Sequence, residues 1–158
     1  MGHHLRYHRP RGDTGREFAR DTEFRMAKLR HIAIVVRDLE KAARFYEGVF
    51  EMKRVGQETL DFAAAIYLSD GVVQLALLNY FGKRGSGLDD AQNFVGAHHF
   101  GFVVDDIGEA QNKIEAAGGK FFFDLGNDPE KENFERKFKD PDGEYKDRWD
   151  LLGLSEVV

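Results

Sequence analysis

An α+β fold made of two copies of one β-α-β-β-β unit is what this 158-residue sequence predicts. Three observations carry the prediction. Leu29-Arg30-His31-Ile32-Ala33-Ile34-Val35-Val36-Arg37-Asp38 returns, 68 residues on, as Gly96-Ala97-His98-His99-Phe100-Gly101-Phe102-Val103-Val104-Asp105-Asp106. This aligns His31 with His99, Val35 with Val103, Val36 with Val104 and Asp38 with Asp106, the mark of an internal repeat. Each copy is an apolar strand that opens on a histidine and runs into an acidic residue, and each is followed by apolar residues at helical spacing. Short strand patterns divided by turn signals then complete each copy.

Residues 1–26 show no stable apolar period and read as a flexible extension, in which His3, His4 and His8 offer at most weak metal binding. Met26 is an alternative natural start. The folded domain is expected over 27–158, with a first module at about 28–80, a linker at 81–96 and a second module at about 97–153.

Residues 29–36 are apolar on both faces, as a covered strand should be. Asp38 suits a helix N-cap, because its carboxylate can take up a free backbone N–H. Leu39, Ala42, Ala43, Tyr46, Val49 and Phe50 then form one face of an amphipathic helix. Strands follow near Lys53–Gln57, Phe62–Leu68 and Val72–Leu78, the last two joined by the turn Ser69-Asp70-Gly71. Asn79–Asn93 is rich in glycine and polar residues and fits a linker. Gly82-Lys83-Arg84-Gly85 within it lacks the spacing of a phosphate loop.

The second module repeats the order. Strand His99–Val104 leads to the cap Asp105-Asp106, and Ile107, Ala110, Ile114 and Ala117 keep helical spacing until Gly118-Gly119 stops the helix. Lys120–Phe123 is a strand, Asp124–Asn133 a polar loop and Phe134–Lys139 a strand. Asp140-Pro141-Asp142-Gly143 is a strong turn, and Tyr145–Leu152 the last strand.

Composition narrows the function. Hydrophobic residues make up 42% and aromatic residues 13%, enough for a substantial core, and the fourteen Phe also allow an apolar pocket. The absence of Cys excludes disulfide scaffolds, thiolate metal sites and cysteine nucleophiles. No apolar run approaches the ~20 residues of a membrane span, and no signal-peptide core opens the chain, so a cytoplasmic location without membrane partners is expected. Of the net charge of -5, residues 1–30 are basic and the remainder is strongly acidic, which argues against nucleic acid as a partner.

Two modules of this kind invite two curved sheets enclosing a cavity, with His31 and His99 at related points on its wall. Neutral imidazole is a common metal ligand, and two histidines with one carboxylate leave positions open for substrate or oxygen. Asp147 is the best-placed carboxylate in the last strand, sharing a face with Tyr145 and Trp149, while Asp150 and Glu144 point the other way and are alternatives. Gln74 is the polar side chain of its strand and a weaker fourth ligand. His98 has no counterpart in the first copy, where Arg30 stands, and reads as a neighbour of the ligands. Tyr67 and Trp149 are candidate pocket residues.

The stretches HIAIVVRDLEKAARFYEGVF, YLSDGVVQLALL, HHFGFVVDDIGEAQNKIEAAGG and KDPDG, in this order, resemble the vicinal oxygen chelate superfamily, which groups glyoxalase I, bleomycin-resistance proteins and extradiol dioxygenases. The resemblance covers about 28–152. It implies paired βαβββ modules forming a cup or open barrel around a divalent metal, with ligands from the first and last strand of each module. Carried over, these fall on His31, on the strand of Gln74, on His99 and on Asp147. Ala76 stands where a glutamate is usual, so His31, His99 and Asp147 look more like the two-histidine, one-carboxylate set of the dioxygenases.

The resemblance therefore implies a metal-dependent enzyme, a dioxygenase or a lyase or isomerase, acting on a small oxygen-chelating substrate. Fe or Mn is favoured with three protein ligands, and Zn, Ni or Co are the alternatives if Gln74 supplies a fourth. A second reading is a sequestering protein of the bleomycin-resistance type, which uses the cup without catalysis. A homodimer is implied by the resemblance alone.

Overall fold

The repeated stretch forms strand β1 (Lys28–Val35) in the first half and β5 (Gly96–Val104) in the second. The structure, a computed structural model, describes residues 27–125, 135–141 and 151–156. After β1 come helix α1 (Leu39–Phe50) and strands β2 (Lys53–Thr59), β3 (Ala63–Ser69) and β4 (Gln74–Tyr80). After β5 come α2 (Ile107–Ala116), β6 (Lys120–Asp124), β7 (Arg136–Lys139) and β8 (Leu151–Glu156). The order β-α-β-β-β thus occurs twice, as the repeat predicts.

Local chemistry accounts for the boundaries. Asp38 caps α1 by accepting the backbone N–H of Lys41 at 2.9 Å, and Asp106 caps α2 by accepting that of Glu109 at 2.7 Å. Strand β4 starts at Gln74 and not at Val72 because the hairpin turn takes the intervening residues. The Asp70 carboxylate accepts the N–H groups of Val72 and Val73, both at 2.8 Å, and Gly71 adopts φ 93°. The last strand is described at Leu151–Glu156, four residues beyond the expected end at Leu152.

All eight strands form one sheet in the order β2-β3-β4-β1-β5-β8-β7-β6. Strands β1 and β4 pair in parallel, as do β5 and β8, while β1 and β5 join the halves antiparallel. The halves are therefore related by an approximate two-fold between β1 and β5. The sheet curls into a cup. Tyr80 of β4 and Lys137 of β7, with three strands between them in the sheet order, meet across the concave side, and the rings of Phe62 and Phe123 lie 5.5 Å apart.

Strand alternation divides the core between the two faces. On the concave side Ala33, Val35, Ala63, Ala65, Ala76, Leu78 and Tyr80 cluster with Ala91. On the convex side Ile66, Leu68 and Leu77 pack on Ala43 of α1, and Phe138 packs on Ile107 of α2. The glycine-rich stretch between the halves is more than a linker. Leu88, Ala91 and Phe94 pack on the concave cluster, and Ser86 is fully buried. Among the described residues no helix is long and apolar enough to cross a membrane.

Phe138 is fully buried at the centre of the α2 contact, whereas Val72 is 85% exposed. Phe138→Ala is expected to destabilise the protein by about 3–5 kcal/mol. Val72→Ala should stay within about 0.5 kcal/mol of the parent. Urea unfolding of the two variants checks both values.

Candidate metal centre

The antiparallel join of β1 and β5 sets Ala33 opposite His99 and His31 opposite Gly101. His31 and His99 therefore project from the same face, one step apart along the strands. Gly101 is what lets the His31 ring lie down. A Cβ at that position would stand 2.0–2.6 Å from three atoms of the ring. Gly101 pairs in turn with Gly153 of β8, and Gly153 with Lys137 of β7. A Cβ on Gly153 would lie 1.7 Å from Oε1 of Glu135. Two adjacent glycines thus make a bare floor, and His31 and Glu135 lean over it from opposite sides.

The result is a compact triangle. His31 Nε2 and His99 Nε2 are 3.1 Å apart, His99 Nε2 and Glu135 Oε1 3.3 Å, and His31 Nε2 and Glu135 Oε1 3.6 Å. The side chains are 14%, 3% and 14% exposed for His31, His99 and Glu135. Glu135 Oε1 is buried and, among the described residues, without a hydrogen-bond partner. Among the described residues this is the group of histidine and acidic side chains that converges as metal ligands do.

A hydrogen-bond chain orients His99. The carbonyl of Ser86 can only accept, so His98 Nε2 donates to it, at 2.7 Å. A neutral His98 then has a lone pair on Nδ1, and His99 Nδ1, 2.7 Å away, donates to it. A neutral His99 is left with its lone pair on Nε2, aimed into the triangle. Both rings are neutral because burial, above all, disfavours the charged form, lowering His98 to about 3 and His99 to about 4. His31 is likewise lowered by burial. Burial opposes the charge of Glu135, but the interactions around it, the Lys137 ammonium among them, outweigh it and hold the carboxyl below its usual range.

Two acceptors, the Nε2 lone pair of His99 and the orphaned Oε1 of Glu135, therefore face each other in a buried site. His31 Nε2, at 3.1 Å, can donate to His99, and a cation among the three groups would satisfy the Glu135 oxygen as well. The edges also suit one ion, since ligands at about 2.1 Å from a common metal are about 3.0–3.4 Å from each other. Two imidazoles and a carboxylate on one side of an ion fit a divalent metal with positions left open for substrate.

Of the residues singled out from the sequence, His31 and His99 come together here. Gln74 is in register with His31 on the parallel neighbour β4, so it shares the concave face. Asp147, its alternatives Asp150 and Glu144, and Trp149 lie outside the described residues. Tyr67 packs against the concave cluster and gives its hydroxyl hydrogen to Glu58, and burial, then that carboxylate, pushes its phenol up. Glu135 was not singled out. Its one sequence signal is its position two residues before Lys137 at the edge of a predicted strand. Lys137, buried and donating to Tyr80, was also missed.

A family model described as Glyoxalase/Bleomycin resistance protein/Dioxygenase superfamily matches residues 28–145. No curated protein matches the chain. A hypothetical protein from Bacillus halodurans C-125 has a similar structure, with TM-score 0.65 and 20% identity, covering 84% of this chain and 95% of that one. A methylmalonyl-CoA epimerase from Mycobacterium tuberculosis superposes with TM-score 0.63 and 18% identity, covering 82% and 87% of the two chains. A Streptomyces coelicolor methylmalonyl-CoA epimerase variant bound to 2-nitronate-propionyl-CoA gives TM-score 0.61 and 22% identity, covering 83% and 94%. At these identities the likeness is one of fold.

The His98 relay predicts that His98→Phe weakens divalent-metal affinity by about 10–100-fold. His98→Gln, which can accept from His99 and donate to Ser86, should retain most of it, as read by competition with a coloured chelator. The metal-free protein should also lose stability in acid. Folded His98 and His99 resist protonation down to about 3 and 4. The unfolded chain takes up those protons as the pH falls through about 6.5, so unfolding gains ground between there and about 4. Unfolding free energies from urea titrations at pH 7 and pH 5 should differ by about 4 kcal/mol, the lower value at pH 5.

Proposed function

This chain belongs to the glyoxalase/bleomycin resistance protein/dioxygenase superfamily, and we propose that it is a metal-dependent enzyme whose divalent ion is held by His31, His99 and Glu135. The observation that carries this reading is the triangle of 3.1, 3.3 and 3.6 Å in which His99 and an unpartnered buried carboxylate oxygen meet as acceptors. The substrate is a small molecule that offers two adjacent oxygens. An ion bound there would act as a Lewis acid on those oxygens.

The chain's own groups do the rest. His98 and the Ser86 carbonyl keep His99 in the tautomer that presents Nε2. Gly101 and Gly153 keep the floor open, so that His31 and Glu135 hold their positions without a competing side chain. Three protein ligands favour Fe or Mn, and Gln74, level with His31, is the residue that would shift the preference to Zn, Ni or Co by adding a fourth. With the small set, oxygen-dependent chemistry is the favoured reaction. With four ligands, proton transfer of the lyase or isomerase type gains, the class to which the named epimerase neighbours belong.

Sequestration of a drug without catalysis is the second reading: the apolar cluster of the concave side would suit an aromatic guest, whereas the convergence of His31, His99 and Glu135 favours the metal-dependent reading. Homodimerisation and a cytoplasmic location are part of the same reading by resemblance.

Metal analysis tests the proposal on protein that begins at Met26, purified without a nickel column. About one equivalent of Fe or Mn per chain is expected. His99→Ala and Glu135→Ala should abolish metal uptake while the circular dichroism of the fold is retained. Asp147→Ala should keep it. Retention of metal by Glu135→Ala together with its loss in Asp147→Ala would transfer the carboxylate role to Asp147, and no metal in the parent after reconstitution would overturn the enzyme reading.

A further inference from the structure

Lys137 is 3% exposed, and its ammonium lies inside the cup. It belongs to one transverse row of the sheet, Gln74–His31–Gly101–Gly153–Lys137, traced through four successive strand pairings. Residues level with one another across a sheet share a face. Lys137 thus stands on the same face as His31, two residues along the chain from Glu135.

Its bonding is incomplete. An ammonium has three N–H groups. Among the described residues one partner accepts from it, the Tyr80 hydroxyl at 3.0 Å, with the ammonium also 5.6 Å from the centre of that ring. No carboxylate of the described residues lies within ion-pair distance. Glu58 is engaged by Tyr67, and the unpartnered oxygen of Glu135 faces the histidines. A buried charge is expensive unless it is paired, and a long apolar side chain would brace the two halves as well without that cost. Tyr80, which is also buried, accepts from Lys137, so its own O–H is free to donate. Two donors therefore meet where, among the described residues, no acceptor is supplied.

We propose that Lys137 and Tyr80 form an anion subsite beside the triad, so that the substrate carries a carboxylate in addition to its two chelating oxygens. This rests on the proposed metal-centre reading for the chelating half of the substrate, but the subsite stands on its own donors. The charges agree with it. A divalent ion in the triangle together with Lys137 outweighs Glu135 by two positive charges, which a substrate with one ionised chelating oxygen and one carboxylate would neutralise.

The test compares catechol with 3,4-dihydroxybenzoate, which differ by the carboxylate alone, by titration calorimetry under nitrogen on metal-loaded protein. The parent should bind dihydroxybenzoate at least about tenfold tighter, the scale of one charge-assisted hydrogen bond. Lys137→Met should erase that preference, leave the affinity for catechol as it was and melt no lower than the parent. Tyr80→Phe should reduce the preference, and decides by itself if Lys137→Met does not fold. Equal affinity for the two compounds in the parent, or a preference that survives these substitutions, would overturn the subsite. If the parent takes up no metal, the metal-centre reading fails separately, and benzoate shifts in the NMR spectrum of the metal-free protein judge the subsite alone. Shifts lost in Lys137→Met support it, and shifts unchanged by the substitution, or absent in the parent, refute it.

Discussion

The antiparallel pairing of β1 with β5 is the constraint on which everything else depends. It turns two four-stranded half sheets into one and places the two-fold of the repeat between them. Equivalent histidines, 68 residues apart in the chain, become diagonal neighbours with nitrogens 3.1 Å apart. No loop has to carry them there. Each is held by ladder hydrogen bonds in the middle of a sheet, so a site built on them is as rigid as the sheet itself.

A site on a two-fold acquires chemistry where the symmetry fails. Following the register through both halves, Ala33 corresponds to Gly101, Ala76 to Gly153, Ala65 to Glu135 and Tyr67 to Lys137. Every change from the first half to the second either removes a side chain or adds a charge. In the first half alanines line the concave face and leave room above it. In the second half glycines open the floor, and Glu135 and Lys137 enter over it. The last strands, where the resemblance would seek carboxylates, hold Ala76 and Gly153 at matching positions, and the carboxylate that converges on the histidines is Glu135, just before β7, over the gap that Gly153 leaves.

That history explains which parts of the molecule were legible in the sequence. The repeat exposed whatever is present twice: the strand and helix order, the caps at Asp38 and Asp106, and the histidine pair. Glu135 has Ala65 as its counterpart, so a search for recurrence passes over it. Its position also depends on a glycine eighteen residues further along, which has meaning only once β7 and β8 are paired. The last strand was expected at Tyr145–Leu152 and is described at Leu151–Glu156, so that Gly153 stands level with Gly101. Asp147 lies outside the described residues and gains no support from that register. The stretch after β4 looked like a linker because of its glycines and polar residues. Its buried Ser86 supplies the carbonyl that fixes His98, a role that composition cannot express.

The energetics of the cup imply that the folded chain is shaped for an occupied site. Among the described residues, a carboxylate oxygen without a hydrogen bond, a histidine lone pair facing it at 3.3 Å and an ammonium with a single neutral partner are all buried together. Each opposes folding by an amount comparable with a lost hydrogen bond or more. Against a net stability of about 5–15 kcal/mol for a domain, these are large terms. They persist because the apolar clusters on both faces of the sheet, around Leu68 and Leu77 on one side and Ala33 and Leu78 on the other, hold the strands in register whatever the site prefers. A cation in the triangle and an anion at Lys137 would relieve all three terms at once, and the same hydrophobic framework that bears the strain in their absence would then be aligned with them.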